Sequence, residues 1–211
     1  MSRTRLSITS GLAIMLFAAS AAFADDSAED IKKRIGAGDP VAGKGKSAMC
    51  QGCHGEDGNS AAATFPKLAG QYAAYIQKQI KNFQAGSRSD PMMSGMAATV
   101  TENQDLLDIS AYFASQNQMK GDSPVVNQAG KERFLSANGC AGCHGPNGKG
   151  AGPGNPNAPV IGGQHKDYLI KQLKDFRDGN RTNEPSGMMA LIGGMMSDEE
   201  MEEVASYVSG L

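Results

Sequence analysis

The chain has 211 residues and a formal net charge of −2 at pH 7, from 20 basic and 22 acidic side chains. This slightly acidic balance argues against a nucleic-acid partner, and we expect none. With 27 glycines, no tryptophan and 6% aromatic residues, the chain is also poor in the bulky side chains that fill a protein core. Small domains built from it would be marginally stable without further apolar material.

Residues 1–24 have the three parts of a secretory signal peptide. Arg3 and Arg5 form a basic region, residues 12–22 form an apolar stretch, and Ala22-Phe23-Ala24 matches the cleavage pattern. The apolar stretch is short for a membrane-spanning helix, and no stop-transfer flank follows it. We therefore expect export to the periplasm with cleavage after about Ala24. Removing two arginines and no acids leaves 18 basic and 22 acidic residues, a net charge of −4.

A helix is predicted before each of two cysteine motifs and at the end of each half of the chain. Asp39-Pro40 and Asn127 are suitable first residues for the helices before the motifs. Capping-box patterns, Thr101-x-x-Gln104 and Ser197-x-x-Glu200, precede the final helices, with Asn103 as an alternative cap in the first half. Apolar stripes with helical spacing follow these patterns, at Leu106, Ile109 and Phe113 and at Met201, Val204, Ala205 and Val208.

Two short runs, Cys50-Gln51-Gly52-Cys53-His54 and Cys140-Ala141-Gly142-Cys143-His144, contain all four cysteines. In a Cys-x-x-Cys-His run, the two thiols have the spacing for thioether bonds to one haem, and the adjacent His reaches its iron. A four-thiolate zinc site is an alternative, but it would leave both histidines without a role. Thioredoxin-like chemistry would require a βαβ context that the sequence lacks. We predict two covalent haem c groups, bound through Cys50, Cys53, Cys140 and Cys143, with His54 and His144 as axial ligands.

The motifs belong to a tandem repeat. Residues 66–71, Pro-Lys-Leu-Ala-Gly-Gln, match residues 159–164, Pro-Val-Ile-Gly-Gly-Gln. Further positions then match in order: Tyr75, Ile76, Lys78, Gln79, Ile80, Phe83, Gly86 and Arg88 with Tyr168, Leu169, Lys171, Gln172, Leu173, Phe176, Gly179 and Arg181. Such self-similarity indicates a duplicated domain. We expect an N-terminal domain over 25–120, a C-terminal domain over 121–211 and a linker at about 118–126.

The helix after each motif is predicted from the same repeat. Tyr75, Ile76, Gln79, Ile80 and Phe83 fall on one helical face, and Gly86 can provide a left-handed end. A loop rich in Gly, Pro and Asn spans residues 145–159. Since no strand pattern is present, the expected fold is all-α, with two domains that each wrap around one haem.

The second axial ligand is sought among methionine and the third histidine. His165 matches Tyr72 in the repeat, so it cannot serve both copies, and we expect a surface histidine there. Met93 and Met189 each stand eight residues before the predicted cap of the final helix, and Met92 and Met188 stand one residue earlier. On the repeat alone, both methionine pairs remain candidates.

Together, the duplicated Cys-x-x-Cys-His motif, the Pro-x-Leu/Ile-x-Gly-Gln run, the Tyr-x-x-Lys-Gln helix and the Met-rich loop resemble the dihaem cytochrome c4 family. The resemblance covers essentially the whole predicted mature chain. It implies that Met93 and Met189 are the axial ligands. It also implies that the carbonyls of Pro66 and Pro159 accept the ring N–H of the axial histidines, and that the haem propionate edges of the two domains face each other.

The function implied is electron transport rather than catalysis, because His/Met ligation fills both axial positions and raises the reduction potential. The resemblance implies a periplasmic, monomeric carrier that takes electrons from a quinol-oxidising complex, passes them to a terminal oxidase, and associates peripherally with the membrane. One alternative is the electron-accepting dihaem subunit of a dehydrogenase, such as a flavocytochrome. A dihaem enzyme is a further alternative, which would need an open or differently ligated iron.

Overall fold

The computed structural model describes residues 27–121, 127–137, 139–150, 152 and 157–211. Within these ranges, the only β-structure is an isolated bridge between Arg88 and Arg181. The prediction of an all-α fold is therefore confirmed. The helices are α1 (Ala28–Ile35), α2 (Pro40–Lys46), α3 (Ala48–His54), α4 (Ala73–Gln84), α5 (Pro91–Ala98), α6 (Asn103–Ser115), α7 (Gln128–Leu135), α8 (Ala141–His144), α9 (Lys166–Arg177), α10 (Met188–Met195) and α11 (Asp198–Ser209).

Some of the sequence predictions lie outside the described residues. These are the signal peptide over 1–24, most of the linker at 118–126 and part of the loop over 145–159. In the part of the chain that is described, no helix combines the length and the apolar character that crossing a bilayer requires.

The repeat in the sequence becomes a repeat of helices, since α2–α6 correspond to α7–α11. The predicted caps of three helices are confirmed: Asp39 for α2, Asn127 for α7, and the Ser197–Glu200 capping box for α11. Helices α4 and α9 both end just before a glycine with positive φ, Gly86 at 72° and Gly179 at 75°. This left-handed conformation is the one that glycine adopts without a steric penalty.

The predicted start of α6 is wrong, and α1 was not predicted. Helix α6 begins at Asn103 with Glu102 as its N-cap, and no side chain caps it. Instead of reaching back to Thr101, the Gln104 side-chain amide donates to Asp108 Oδ1 at 2.8 Å. Because this bond holds the Gln104 side chain towards Asp108, its amide oxygen does not reach back to accept from the Thr101 N–H, and the capping-box pattern is not used.

Each copy has its own apolar core, and the predicted stripe on the final helix contributes to each. The first core contains Leu106, Ile109 and Phe113 with residues of α4, and Cys50 packs against its edge. The second core contains Phe134, Val204 and Val208, and Cys140 packs against it. A third cluster, of Ala69, Tyr72, Met119 and Val160, joins the two copies. The two halves therefore meet over an apolar contact.

In both copies, a glycine allows the helix before the motif to cross the final helix closely. A Cβ atom on Gly43 of α2 would lie 2.0 Å from the Asp108 carbonyl oxygen on α6. A Cβ atom on Gly130 of α7 would lie 2.0 Å from the Glu203 carbonyl oxygen on α11. Both contacts are with backbone, which cannot move aside, so only glycine fits at these crossings.

We expect Gly43→Ala to lower the free energy of unfolding of the first copy by about 3 kcal/mol, because the added methyl group pushes α2 off α6. Gly45→Ala on the same helix is the matched control, since its Cβ would meet nothing within 4 Å. The control should be neutral or stabilise by up to about 1 kcal/mol, the helix-propensity difference between Gly and Ala. Denaturant unfolding of both variants followed by circular dichroism checks this; equal effects would contradict it.

A buried carboxylate makes the first copy sensitive to acid. Asp108 has a side chain only 3% exposed, and it pairs with Lys46 at 2.6 Å. The backbone N–H of Asp39, then Lys46 and Gln104, all donate to this carboxylate and lower its pKa to about 2. The pKa in the folded state lies below the unfolded value of about 3.9. The stabilisation is therefore present above about pH 4 and is lost as the pH falls towards 2.

We expect Asp108→Asn to flatten this loss of stability between about pH 4 and pH 2. Asp198→Asn on α11 is the control, because the pKa of Asp198 is also lowered to about 2, by Lys174 and Arg177, while its side chain is 61% exposed. Solvent screening should make the control effect much smaller. Acid unfolding of the haem-loaded protein, followed by circular dichroism, measures both variants. A larger effect for Asp198→Asn would contradict the prediction.

Candidate haem sites

The first predicted axial ligand, His54, is the last residue of α3 and is buried. Its Nδ1 lies 2.8 Å from the carbonyl oxygen of Pro66. A carbonyl oxygen can only accept a hydrogen bond, so Nδ1 carries the proton and the Nε2 lone pair is left for a metal. Burial lowers the pKa of His54 despite the bond to Pro66, which keeps the imidazole neutral. The side chain is thus held in the state that binds iron.

His144 repeats this arrangement at the end of α8. Its Nδ1 lies 2.9 Å from the carbonyl oxygen of Pro159, and burial lowers its pKa in the same way. Both expected hydrogen bonds from the histidines to proline carbonyls are therefore confirmed. Such a partner fixes the orientation and tautomer of a metal-binding imidazole.

Cys50 and Cys53 lie on α3 with His54, whereas Cys143 lies on α8 with His144 and Cys140 is the N-cap residue of that helix. None of the four forms a disulfide bond. Cys50 and Cys140 are partly buried, and burial raises the pKa of both thiols. Cys143 is exposed. One thiol of each pair thus packs against the core while its partner lies three residues further along, an arrangement that fits attachment of one haem to each motif.

The methionine candidates lie at the start of α5 and α10 and differ in burial. Met92 and Met188 are 55% and 47% exposed. Met93 is partly buried and packs against the first core, and Met189 is also partly buried. Because an axial ligand must face the interior, the pattern in both copies favours Met93 and Met189 over their neighbours. Their role as ligands remains a prediction.

His165 is not the surface histidine that the sequence suggested. It is 8% exposed, and its Nε2 lies 2.9 Å from Ser60 Oγ and 3.0 Å from Ser60 O, in the opposite copy. Its counterpart Tyr72 is also buried and donates to the carbonyl of Lys149 at 2.6 Å. The interpretation failed because His165 lies at the contact between the copies, which the local sequence does not reveal.

Sequence reasoning also assigned no role to two matched arginines, Arg88 and Arg181, which meet between the copies. The guanidinium of Arg88 donates to Gln79 at 2.8 Å and to Tyr168 and Gln172 at 2.9 Å. Arg181 donates to Gln172, Tyr75 and Gln79 at 2.6, 3.0 and 3.3 Å. The two networks are related by the repeat. Their signal in the sequence is the Gly-x-Arg that follows α4 and α9.

The charge of this arginine pair is not neutralised by the protein residues that the structure describes. Both arginines are buried, and their hydrogen bonds go to neutral groups. Asp175, an acid near Arg88, is itself paired with Lys171 at 2.5 Å. Burial raises the pKa of Tyr75, but Arg181 and Arg88 outweigh burial and hold that pKa below its usual value. An unpaired buried charge is costly, so the site fits an anionic group such as a haem propionate.

Comparison with known proteins identifies the family of this chain. The Cytochrome c family profile matches twice, over residues 41–117 and 128–211. Cytochrome c4 of Azotobacter vinelandii is 42% identical over 192 residues, covering 83% of this chain and 90% of that protein. A thiosulfate dehydrogenase electron acceptor of Stutzerimonas stutzeri is 35% identical, covering 80% and 82%.

The fold agrees with these relatives. The crystal structure of reduced recombinant cytochrome c4 from Pseudomonas stutzeri superposes with a TM-score of 0.75 at 42% identity, covering 83% of this chain and all of that one. Two cytochrome c domains in tandem, each with its Cys-x-x-Cys-His motif, bind two covalent haem c groups. The chain belongs to the dihaem cytochrome c4 family.

Proposed function

We propose that this protein carries electrons between respiratory complexes in the periplasm, with His54 and Met93 as axial ligands in the first domain and His144 and Met189 in the second. When bound, each haem supplies a one-electron Fe(III)/Fe(II) couple. The observation that carries the proposal is the matched pair of sites. In each domain a neutral, buried histidine is fixed by a proline carbonyl, and a partly buried methionine occupies the equivalent position.

The protein residues have three tasks in this function. The histidines and methionines would hold the irons from both sides, which would raise the potential and leave no open position for a substrate. The cysteines hold the macrocycle covalently. Arg88 and Arg181 would bind the propionates where the two domains meet, since they are buried donors that have no carboxylate partner among the residues that the structure describes. This arrangement is suited to a carrier rather than to an enzyme.

The direction of electron flow follows from the resemblance and the predicted export. We propose a quinol-oxidising complex as donor and a terminal oxidase as acceptor, with a monomeric carrier that associates peripherally with the membrane between them. The predicted signal peptide over residues 1–24 supports a periplasmic location.

A spectroscopic redox titration of the haem-loaded protein, expressed in the periplasm, tests the proposal. Two low-spin haems at positive potentials, with the weak far-red sulfur-to-iron band in the oxidised form, are expected for His/Met ligation in both domains. A high-spin or low-potential component would show that a methionine is not bound. One haem per chain would contradict the two-site arrangement.

A second candidate function is electron acceptor of a dehydrogenase. The 35% identity to a thiosulfate dehydrogenase electron acceptor supports it. Stopped-flow mixing of the oxidised protein with such a dehydrogenase and thiosulfate separates the two functions. Rapid reduction at stoichiometric concentrations favours the acceptor role. Slow reduction by the dehydrogenase together with rapid reduction by a quinol-oxidising complex favours the respiratory carrier.

A further inference from the structure

The peptide unit that accepts the hydrogen bond from each axial histidine is also bonded to the opposite domain. In the first domain, the Pro66 carbonyl accepts from His54 at 2.8 Å. The N–H of the same peptide, on Lys67, donates to Gln164 Oε1 in the second domain at 2.9 Å. One peptide therefore links the histidine of one domain to a glutamine of the other.

The second domain has the mirror arrangement. The Pro159 carbonyl accepts from His144 at 2.9 Å, and the N–H of Val160 donates to Gln71 Oε1, in the first domain, at 3.0 Å. The amide of each glutamine also donates to the carbonyl of the residue after the proline, at 2.9 Å for Gln164 and 2.8 Å for Gln71. Each glutamine side chain therefore bonds both the N–H and the C=O of one residue in the opposite domain: Gln164 bonds Lys67, and Gln71 bonds Val160.

Both glutamines are shielded from water, with 4% exposure for Gln71 and 5% for Gln164. In a low-dielectric interior, hydrogen bonds in a chain polarise one another. A peptide whose N–H donates to a glutamine oxygen has a more electron-rich carbonyl, which accepts more strongly from the histidine N–H. That makes the imidazole a stronger donor to iron and favours the ferric state.

We propose that Gln71 and Gln164 are positioning residues that act across the domain contact, each lowering the reduction potential of the haem in the opposite domain. The inference rests on the proposed function only in taking His54 and His144 as axial ligands. The consequence is that docking of the two domains sets both potentials: a carrier with its domains docked has lower potentials than one with its domains apart.

The experiment uses the full-length, haem-loaded protein with Gln164→Met, which keeps the side-chain volume and loses the amide oxygen. A Met189→His background shows which potential belongs to which haem. Bis-histidine ligation lowers the reduction potential of the second haem, so the high-potential component is the first haem. We expect Gln164→Met to raise the potential of the first haem, by a factor of about three to ten in its reduction equilibrium constant, or at most about 59 mV for a one-electron couple. The second haem should not shift.

Gln71→Met in a Met93→His background should give the mirror result, a rise for the second haem only. Tyr72→Phe is the matched control, since it removes a hydrogen bond between the domains, to Lys149, without touching either proline peptide. It should shift neither potential. A shift of the haem in the glutamine's own domain, equal shifts of both haems, or no shift at all overturns the proposal.

A second readout does not depend on potentials. In the reduced, diamagnetic protein, the Nδ1 proton of His54 reports the strength of its bond to Pro66, and Gln164→Met should move its NMR resonance upfield while that of His144 stays in place. Movement of the His144 resonance alone would overturn the proposal. If Met189→His or Met93→His does not lower the reduction potential of one haem, the axial methionines are wrongly assigned. The NMR comparison still tests the glutamines in that case.

Discussion

Met93→His lowers the reduction potential of the first haem by about 0.2–0.4 V, within the roughly 0.8 V range that axial ligands span. The reason is that a thioether favours ferrous iron, whereas a second imidazole favours ferric iron. Met93 is partly buried against the first core, so a histidine there meets the same interior. The expected result is one low and one unchanged potential in a spectroscopic titration, with the far-red band halved.

The repeat supplies the controls for this prediction. Met189→His should lower the reduction potential of the second haem by a similar amount, and the double variant should lower the potentials of both haems. Met92→His is the matched neighbour, since Met92 is 55% exposed and precedes the proposed ligand by one residue. It should leave both potentials unchanged. A large drop with Met92→His and none with Met93→His would move the assignment to the neighbouring methionine pair.

The sequence was sufficient to predict the repeat, the haem motifs and several helix ends, because these are encoded locally. The Cys-x-x-Cys-His motif is a contiguous run, so its residues are close in space whatever the rest of the fold. The hydrogen bonds of His54 and His144 to prolines depend on short segments that recur in both copies. Apolar stripes likewise place Leu106 and Val208 in the cores without knowledge of the rest. A feature that both copies contain can therefore be predicted in one copy from its position in the other.

The contact between the domains could not be predicted in the same way. His165 was expected at the surface, but its partner Ser60 lies 105 positions away in the sequence. The cap of α6 was misplaced because Asp108, whose carboxylate is held by Asp39 and Lys46 from α2 and its cap, draws Gln104 away from the helix start. Both errors involve contacts between residues far apart in the sequence, His165 with Ser60 and Asp108 with the start of α2, which local patterns do not report.

The arginine pair makes the second large prediction, since its buried charge has no carboxylate partner among the described protein residues. If propionates neutralise it, Arg88→Met should destabilise the haem-loaded protein by about 3–5 kcal/mol, because one buried anion then loses its partner. The guanidinium also stacks 4.7 Å from the Phe83 ring centroid, a contact that methionine retains only in part. Arg181→Met should destabilise the protein by a similar amount. The Arg181 guanidinium stacks in the same way, 4.5 Å from the Phe176 ring centroid.

Reduction potentials provide a test of this pairing that is independent of stability. An arginine beside a carboxylate holds the pKa of that carboxylate low, so removing Arg88 raises the propionate pKa. Oxidation adds positive charge to the haem and favours release of the proton. The potential of the variant should therefore fall as the pH rises through the new pKa, while the unmodified protein shows less dependence in that range.

Arg177→Met is the control for this prediction, because Arg177 pairs with the exposed Asp198 at 2.6 Å on the protein surface. It should have little effect on stability, because solvent screens a surface ion pair, and it should leave the pH dependence of both potentials unchanged. A stabilising effect of Arg88→Met would be equally informative. If no anion lies beside the pair, removing one of two buried like charges relieves their repulsion, and Arg88→Met would stabilise the protein. Destabilisation together with a new pH dependence is the result that only a buried carboxylate at this site explains.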